Sequence, residues 1–307
     1  MISYISRRLV GMFLTTLLAT FLIYSCMQLV PGDPVIAMFY PNVPDPERMA
    51  VIREELGLNK PFPVRYLGWL YDAFHGDLGE SFKQNRSVAQ IIAKNVPPTF
   101  QLAALSMVFA MVIGLGTGIL AAILKTKFLG SILMVLALFG VSAPMFWVGL
   151  LLIFAFSLHL QWFPSYGTGG ISRLILPAIT LGLYCGGFLA RFTRSSILEV
   201  KLLDYVLTAR AKGLPEAIVN IKHVLRNAMI PIATIAGYLA VRIFGGAVIC
   251  EIVFARAGIG NLLVQAIVAT DYPLVQGLLV VITGITIAIN FLVDISYAYI
   301  DPRIQYV

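Results

Sequence analysis

The chain has 307 residues, 59% of them hydrophobic and only 12% charged, with a formal net charge of +7. A soluble domain carries about 25% charged residues, so this composition excludes an ordinary soluble globule and points to an integral membrane protein. The positive charge does not imply a nucleic-acid partner, because membrane proteins gather Lys and Arg on their cytoplasmic side.

The three cysteines, Cys26, Cys185 and Cys250, all fall in apolar runs without ligand spacing. They read as buried free thiols, not as a disulfide framework or a metal cluster. At the N-terminal end, Arg7-Arg8 precedes an apolar run from Leu9 to Val30. A secretory signal has an apolar region of roughly 7–15 residues and then a small-residue cleavage site; this run is longer and no such site follows it. Ser6-Arg7-Arg8 also resembles a twin-arginine export signal. The plainer reading is a first transmembrane helix held by cytoplasmic arginines.

Pro31-Gly32-Asp33-Pro34 stops that helix, and the region from there to Pro98 is soluble in character. Three short helices are expected in it. Asp45 caps one, with Pro46 in its first turn, Met49, Ile52 and Leu56 on one face and Gly57 as the stop. A second runs near Val64 to Phe74, with Leu67, Leu70, Tyr71 and Phe74 as its apolar stripe, and ends at Gly76. Ser87 opens the third, with Gln90 three residues on forming a capping box before Ile91 and Ile92. The stripes read as packing surfaces; the functional alternative is an outer lip that receives a partner.

Five further hydrophobic stretches follow. Phe100 to Leu124 carries Gly114 and Gly118 at the small-xxx-small spacing that lets helices approach closely, and Lys125 and Lys127 end it. Ile132 to Leu158 is long for about 30 Å of hydrocarbon, and Pro144 inside it predicts a kink. A loop with Trp162, Pro164 and Tyr166 places aromatics at an interface. Leu174 to Leu189 contains Gly182 and Gly186 and ends at Arg191 and Arg194. The fifth span is about Ile232 to Val253, and a loop runs from Ala257-Gly258-Ile259-Gly260 to Asp271-Tyr272-Pro273. The sixth span is about Val275 to Tyr297, and Asp301-Pro302-Arg303 follows it.

Six spans put both termini on one side. The short connectors on that side hold Lys125, Lys127, Arg191, Arg194, Lys201, Arg210, Lys212, Lys222 and Arg226, whereas the short loops opposite hold only Arg173 and Arg256. The segment Pro31–Pro98 exceeds the roughly 60 residues over which the charge rule counts. The basic side is therefore expected to be cytoplasmic.

One stretch on that side is polar within a greasy chain. Asp204-Tyr205-Val206, Thr208-Ala209-Arg210-Ala211-Lys212-Gly213 and His223-Val224-Leu225-Arg226-Asn227-Ala228, followed by Pro231, resemble the EAA loop of binding-protein-dependent ABC importers. The form is similar to that of peptide/nickel-type permeases, which include dipeptide, oligopeptide, glutathione and nickel systems, and within them to the first, B-type subunit. The likeness covers nearly the whole chain. Leu29-Val30-Pro31-Gly32-Asp33-Pro34, Leu56-Gly57-Leu58, Gly76-Asp77-Leu78-Gly79, Glu251-Ile252-Val253-Phe254, Gly258-Ile259-Gly260, Asp271-Tyr272-Pro273 and Asp301-Pro302-Arg303 fit in order.

The resemblance implies an all-α type I importer permease with six transmembrane helices and a small helical external region between the first two. Its parts would be 1–30 (N-terminal tip and first helix), 31–94 (external region) and 95–301 (permease domain), with a coupling loop at 204–231. It implies a bacterial or archaeal cytoplasmic (inner) membrane location, both termini cytoplasmic. The partners would be a second homologous permease, two cytoplasmic ATPases, an extracytoplasmic solute-binding protein and membrane lipid, but no nucleic acid. The chain has no Gly-x-x-x-x-Gly-Lys-[Ser/Thr] phosphate loop, so ATP and Mg2+ would sit on the ATPases and this subunit would not be an enzyme. The residues expected to couple to the ATPases are Asp204, Tyr205, Thr208, Ala209, Arg210, Ala211, Lys212, Gly213, Leu214, Glu216, His223, Arg226 and Asn227. The plain alternative is a solvated basic connector that only fixes topology.

Arg242 stands about the middle of the fifth span, where the family usually places a small or apolar residue. It reads either as a contact for an anionic solute on the translocation path or as a structural pair with the partner permease. Pro144, Glu251 and Asp294 read as structural groups at membrane depth. His75, His159 and His223 are scattered, and no metal site is assigned. Di- or oligopeptides are the expected cargo, with nickel or a metal chelate, or glutathione, as alternatives. An ion-coupled secondary transporter would instead show inverted repeats and intramembrane ion sites, and a membrane enzyme would need a convergent catalytic set; neither pattern is evident.

Overall fold

The computed structural model describes residues 2–29, 33–39, 45–55, 57–124 and 126–300. Val30, Pro31, Gly32, Leu56, Lys125 and Asp301-Pro302-Arg303 lie outside the described residues. The order of elements is α1 (Ile2–Leu29), α2 (Pro34–Phe39), α3 (Pro46–Glu55), α4 (Phe62–Phe74), α5 (Val88–Ile123), α6 (Lys127–Ser142), α7 (Met145–Leu152) with a π-helical extension Ile153–His159, α8 (Ser172–Lys201), α9 (Asp204–Ala211), α10 (Glu216–Ile218) with π-helical turns Val219–Leu225, α11 (Arg226–Val253), α12 (Ile259–Val268) and α13 (Tyr272–Ile300). Among the described residues the one extended pairing is an isolated bridge, Glu80 to Ser87.

Five helices are long and apolar enough to cross a membrane: Ser6–Leu29, Val88–Ile123, Ser172–Lys201, Glu216–Val253 and Tyr272–Ser296. The third expected span, Ile132 to Leu158, is broken. Phe128–Ser142 and Met145–His159 meet at 107°, which makes six spans if the pair counts as one. The cause is local. Proline disfavours the helical region for the residue before it, and Ala143 is extended at ψ 140. Pro144, at ψ 129, then precedes α7 as its N-cap. The expected kink is thus a full break, in which a new helix starts instead of an old one bending.

Two other boundaries differ from expectation. The helix expected from Ser87 is not separate: it forms the first turns of the 36-residue α5. The expected loop from Ala257 to Asp271 contains α12, whose Ile259, Leu262 and Ala266 are buried.

The chain divides into two compact units. The first comprises Met1–Pro97 and Gly258–Phe291. In it α4 turns Phe62, Tyr66 and Trp69 toward α1, with Tyr24 and Trp69 ring centres 5.5 Å apart and Phe21 and Tyr66 also at 5.5 Å. The expected stripe is therefore the wrong face: Leu67, Tyr71 and Phe74 are exposed. Aromatic edge-to-face packing decided the helix's orientation. An open cleft of about 860 Å3 in this unit is lined by Tyr24, Lys60, Arg65, Trp69, Asp72 and Glu80, among others. Asp271 is buried here and gathers four donors. It accepts from Ser81 Oγ (2.5 Å), from the N–H groups of Phe82 (3.2 Å) and Lys83 (3.4 Å), and from the N–H of Leu274 (3.4 Å). A buried carboxylate is tolerated when backbone donors surround it.

The second unit comprises Pro98–Ala257 and Leu292–Val307. Its centre is α8, the most enclosed of the straight spans. The glycine spacing seen in the sequence is the packing device. A Cβ at Gly114 or Gly118 would fall 2.6 Å from Leu189 or Thr193 of α8. A Cβ at Gly182 would fall 2.6 Å from Phe109 of α5, and at Gly187 only 2.1 Å from Ala137 O of α6. In lipid this close backbone approach replaces the hydrophobic drive that packs helices in water.

Two outcomes are expected. Gly187→Ala should lower the melting temperature of the purified protein, since overpacking costs about 1–3 kcal/mol, whereas Gly116→Ala, whose Cβ would meet nothing within 4 Å, should leave it unchanged or raise it. Melting of both variants with the native protein would show that the α6–α8 approach is not close. Asp271→Ala should strip three donors of the 81–83 turn of their acceptor and speed tryptic cleavage at Lys83 and Arg86; an unchanged digestion pattern would show that Asp271 does not hold this turn.

Candidate functional site

The polar stretch folds as an elbow within the second unit. Leu203 is extended (ψ 144), and Asp204 takes the first turn of α9, where a carboxylate meets the positive end of the helix dipole. Thr208 Oγ1 donates back to Asp204 O at 2.9 Å. After Lys212, Gly213 stands in the left-handed region at φ +77. Its N–H donates to Arg210 O (2.9 Å), and the N–H of Leu214 donates to Ala209 O (3.4 Å). This pair of bonds closes the helix in a Schellman motif, which glycine adopts without a Cβ clash. Pro215, extended at ψ 140, releases the chain into α10.

The second arm does not stop where the sequence suggested. α10, the π-helical turns and α11 form one uninterrupted helix, Glu216–Val253, with Pro231 inside it. The fifth span therefore begins well before Ile232, and the elbow's second arm is its extension.

Three contacts pin the arms together. Asn227 Nδ2 donates to Tyr205 Oη (2.7 Å) and to His223 O (3.2 Å), and Tyr205 Oη donates to His223 O (3.3 Å). Arg210 Nε pairs with Glu216 Oε1 at 2.8 Å across the Gly213 turn, and Asn220 Nδ2 reaches Glu216 Oε2 at 3.5 Å. Val206, Ala209, Val219, Val224 and Ala228 are buried beneath. Outward stand Leu207, Leu214, Ile218 and Ile221, with Asp204, Ala211, Lys212, Lys222 and Arg226 exposed beside them. The elbow thus presents exposed apolar side chains framed by cations.

Two anchors of this elbow escaped sequence reading. Lys201, counted only as a charge, donates from Nζ to Ala122 O at 2.7 Å, capping the C-terminal end of α5 where a cation is favoured. Ser196 Oγ donates to Ala228 O at 3.2 Å, fixing α8 to α11 in a buried position. Neither has a local sequence signal, since each needs the neighbouring helix.

Of the groups at membrane depth, Arg242 and Glu251 lie on α11 and Asp294 on α13. Glu251 is fully buried and accepts from Thr99 Oγ1 at 2.5 Å. Asp294 is half-buried in α13. Arg242 is exposed on this chain and donates from Nη2 to Tyr184 Oη at 2.7 Å. Arg256, read only as a loop charge, is 1% exposed. Burial pushes its guanidinium pKa down and the Glu251 carboxylate pushes it back up. Among the described residues no three His, Cys, Asp or Glu side chains gather into a metal site.

Comparison with known proteins agrees with this geometry. The family model described as "Binding-protein-dependent transport system inner membrane component" matches residues 114–306, and its N-terminal companion matches 1–103. A Brucella abortus protein provisionally named a peptide transport system permease protein is 41% identical over the full length of both chains. The glutathione transport system permease protein GsiC of Escherichia coli is 38% identical, again over the full length of both. A solved chain of the MetNI methionine ABC transporter shares the fold at a TM-score of 0.60 with 19% identity, covering 69% of this chain and 97% of that one. The chain belongs to the family of binding-protein-dependent transport system inner membrane components, as an ABC importer permease subunit.

Proposed function

We propose that this permease translocates di- and oligopeptides across the cytoplasmic membrane of a bacterial or archaeal cell, with both termini in the cytoplasm. A second, homologous permease completes the path, an extracytoplasmic binding protein delivers the solute, and two ATPases bind ATP and Mg2+ and dock on the elbow. The relatives named for peptide and glutathione transport support this cargo class; glutathione is itself a tripeptide.

The observation that carries the mechanism is the continuity of Glu216–Val253. A push on Ile218 or Ile221 acts on the same helix that crosses the membrane. Arg210–Glu216 and the Tyr205–His223–Asn227 contacts keep α9 moving with it. ATP binding then shifts the bundle between inward-open and outward-open states, because the ATPases bind the two states unequally.

In proteoliposomes holding all subunits, uptake of a labelled peptide should require ATP and be blocked by vanadate; uptake driven by an ion gradient alone would indicate a secondary transporter and overturn the reading. Gly213→Val forces a β-branched residue into the left-handed region at about 1–2 kcal/mol, and Lys212→Glu reverses an exposed charge. Either variant, and Arg210→Glu likewise, should keep all spans inserted yet hydrolyse ATP with severalfold less peptide moved per ATP. Native coupling in all three would reduce the elbow to a connector.

A further inference from the structure

Arg242 lies where a cation is costly. Counting about 1.5 Å per residue, it stands about 15 Å from Ile232 and about 16 Å from Val253, at the middle of the apolar length. An arginine at that depth costs about 2.5–3.5 kcal/mol on insertion scales. The usual remedies are to snorkel toward the interface or to pair with a carboxylate. Among the described residues no ion pair joins Arg242 to a carboxylate. Its guanidinium carbon lies 5.5 Å from the ring centre of Tyr184, 5.9 Å from Phe188 and 6.0 Å from Tyr238, with Tyr184 Oη accepting one bond.

Aromatic rings so placed attract a guanidinium through their negative faces. They do not neutralise it. A guanidinium offers five N–H donors in a planar fork, and one is used within this chain. Arg242 lies on an exposed stripe of α11 on which Thr234, Tyr238, Gly245 and Ile249 recur at helical spacing. Beside the guanidinium the surface is open: a Cβ at Gly245 would meet nothing within 4 Å. On α8, Arg191 stands two turns beyond Tyr184, exposed, its guanidinium carbon 5.9 Å from the same Phe188 ring. One ring therefore sits between two cations spaced along the span.

We propose that Arg242, fixed by Tyr184, Phe188 and Tyr238, is a carboxylate-binding site on the translocation path, with Arg191 as the next contact toward the cytoplasm. The assignment rests on the transport reading above and adds the chemical class it selects: solutes bearing a carboxylate, such as the C-terminus of a peptide. The planar fork suits bidentate carboxylate binding. Two cations in series let the solute leave one as it meets the next, so that binding selects without trapping. The same chemistry on a neighbouring subunit, a structural carboxylate, is the rival source.

The test uses the full complex in proteoliposomes and two otherwise identical peptides without acidic side chains, one ending in a free carboxylate and one in a carboxamide, each preloaded on saturating binding protein. Wild-type, Arg242→Ala and Arg242→Gln complexes are compared; the glutamine variant keeps a polar, uncharged side chain with an N–H donor if alanine fails to assemble. Loss of a charged hydrogen bond predicts at least about a tenfold fall in uptake of the carboxylate peptide, with the carboxamide peptide moving at the wild-type rate. Equal loss for both peptides, failure of both variants to assemble, or no change for either would overturn the site and place Arg242 against a subunit carboxylate or nothing. Absence of ATP-driven uptake by the wild-type complex would sink the transport reading itself, and shows before any substitution is made.

Discussion

Backbone meeting backbone is the constraint on which the second unit depends. Hydrocarbon gives helices no hydrophobic reason to associate, so contact must come from fit. Glycines on α5, α6 and α8 remove the side chains that would hold the helices apart, and at Gly118, Gly130, Gly140 and Gly187 a Cβ would reach a neighbouring carbonyl oxygen within 3 Å. With those faces spent on packing, α8 has one sector left for other work. That sector carries Tyr184, Phe188 and Arg191. Packing and the proposed solute contact are thus two faces of one helix.

The elbow answers a different constraint. A helix end leaves carbonyls without partners, and this one must also reverse the chain within a few residues. Gly213 solves both with its left-handed turn. The side-chain contacts across the turn are individually modest, since exposed ion pairs contribute roughly 0–1 kcal/mol. Their use is geometric: they make two short arms one body, so that α9 does not slide on α10 when pressed.

Much of this was legible in the residues. Apolar length marked the spans, and the small-residue spacing at Gly114, Gly118, Gly182 and Gly186 marked the contact faces. What was hidden depends on partners distant in sequence. Proline at 144 could bend or break a helix, and the extended backbone at Ala143 and Pro144 made it a break. Leu67, Tyr71 and Phe74 form as good a stripe as Phe62, Tyr66 and Trp69, but only the latter has Phe21 and Tyr24 opposite. Pro231 read as a boundary because proline usually ends helices, yet α11 runs through it. Arg242 was conspicuous as a charge in an apolar run, while its ring of aromatics needed two helices side by side. Asp271 and Lys201 looked like ordinary loop and terminal charges until their acceptors and donors arrived from elsewhere.

The π-helical turns at Val219–Leu225 set a phase. Such turns accommodate an extra residue within an α-helical run, and each residue added or removed rotates everything beyond it by about 100° about the axis. Removing one residue there would leave the helix apolar, long enough and continuous. It would also swing Tyr238 and Arg242 away from the rings of α8 while the elbow stayed where it is. The wide turns therefore act as an angular offset between the end of the rod that is pushed and the face that meets the solute, and the length of that short segment is under tighter constraint than its composition.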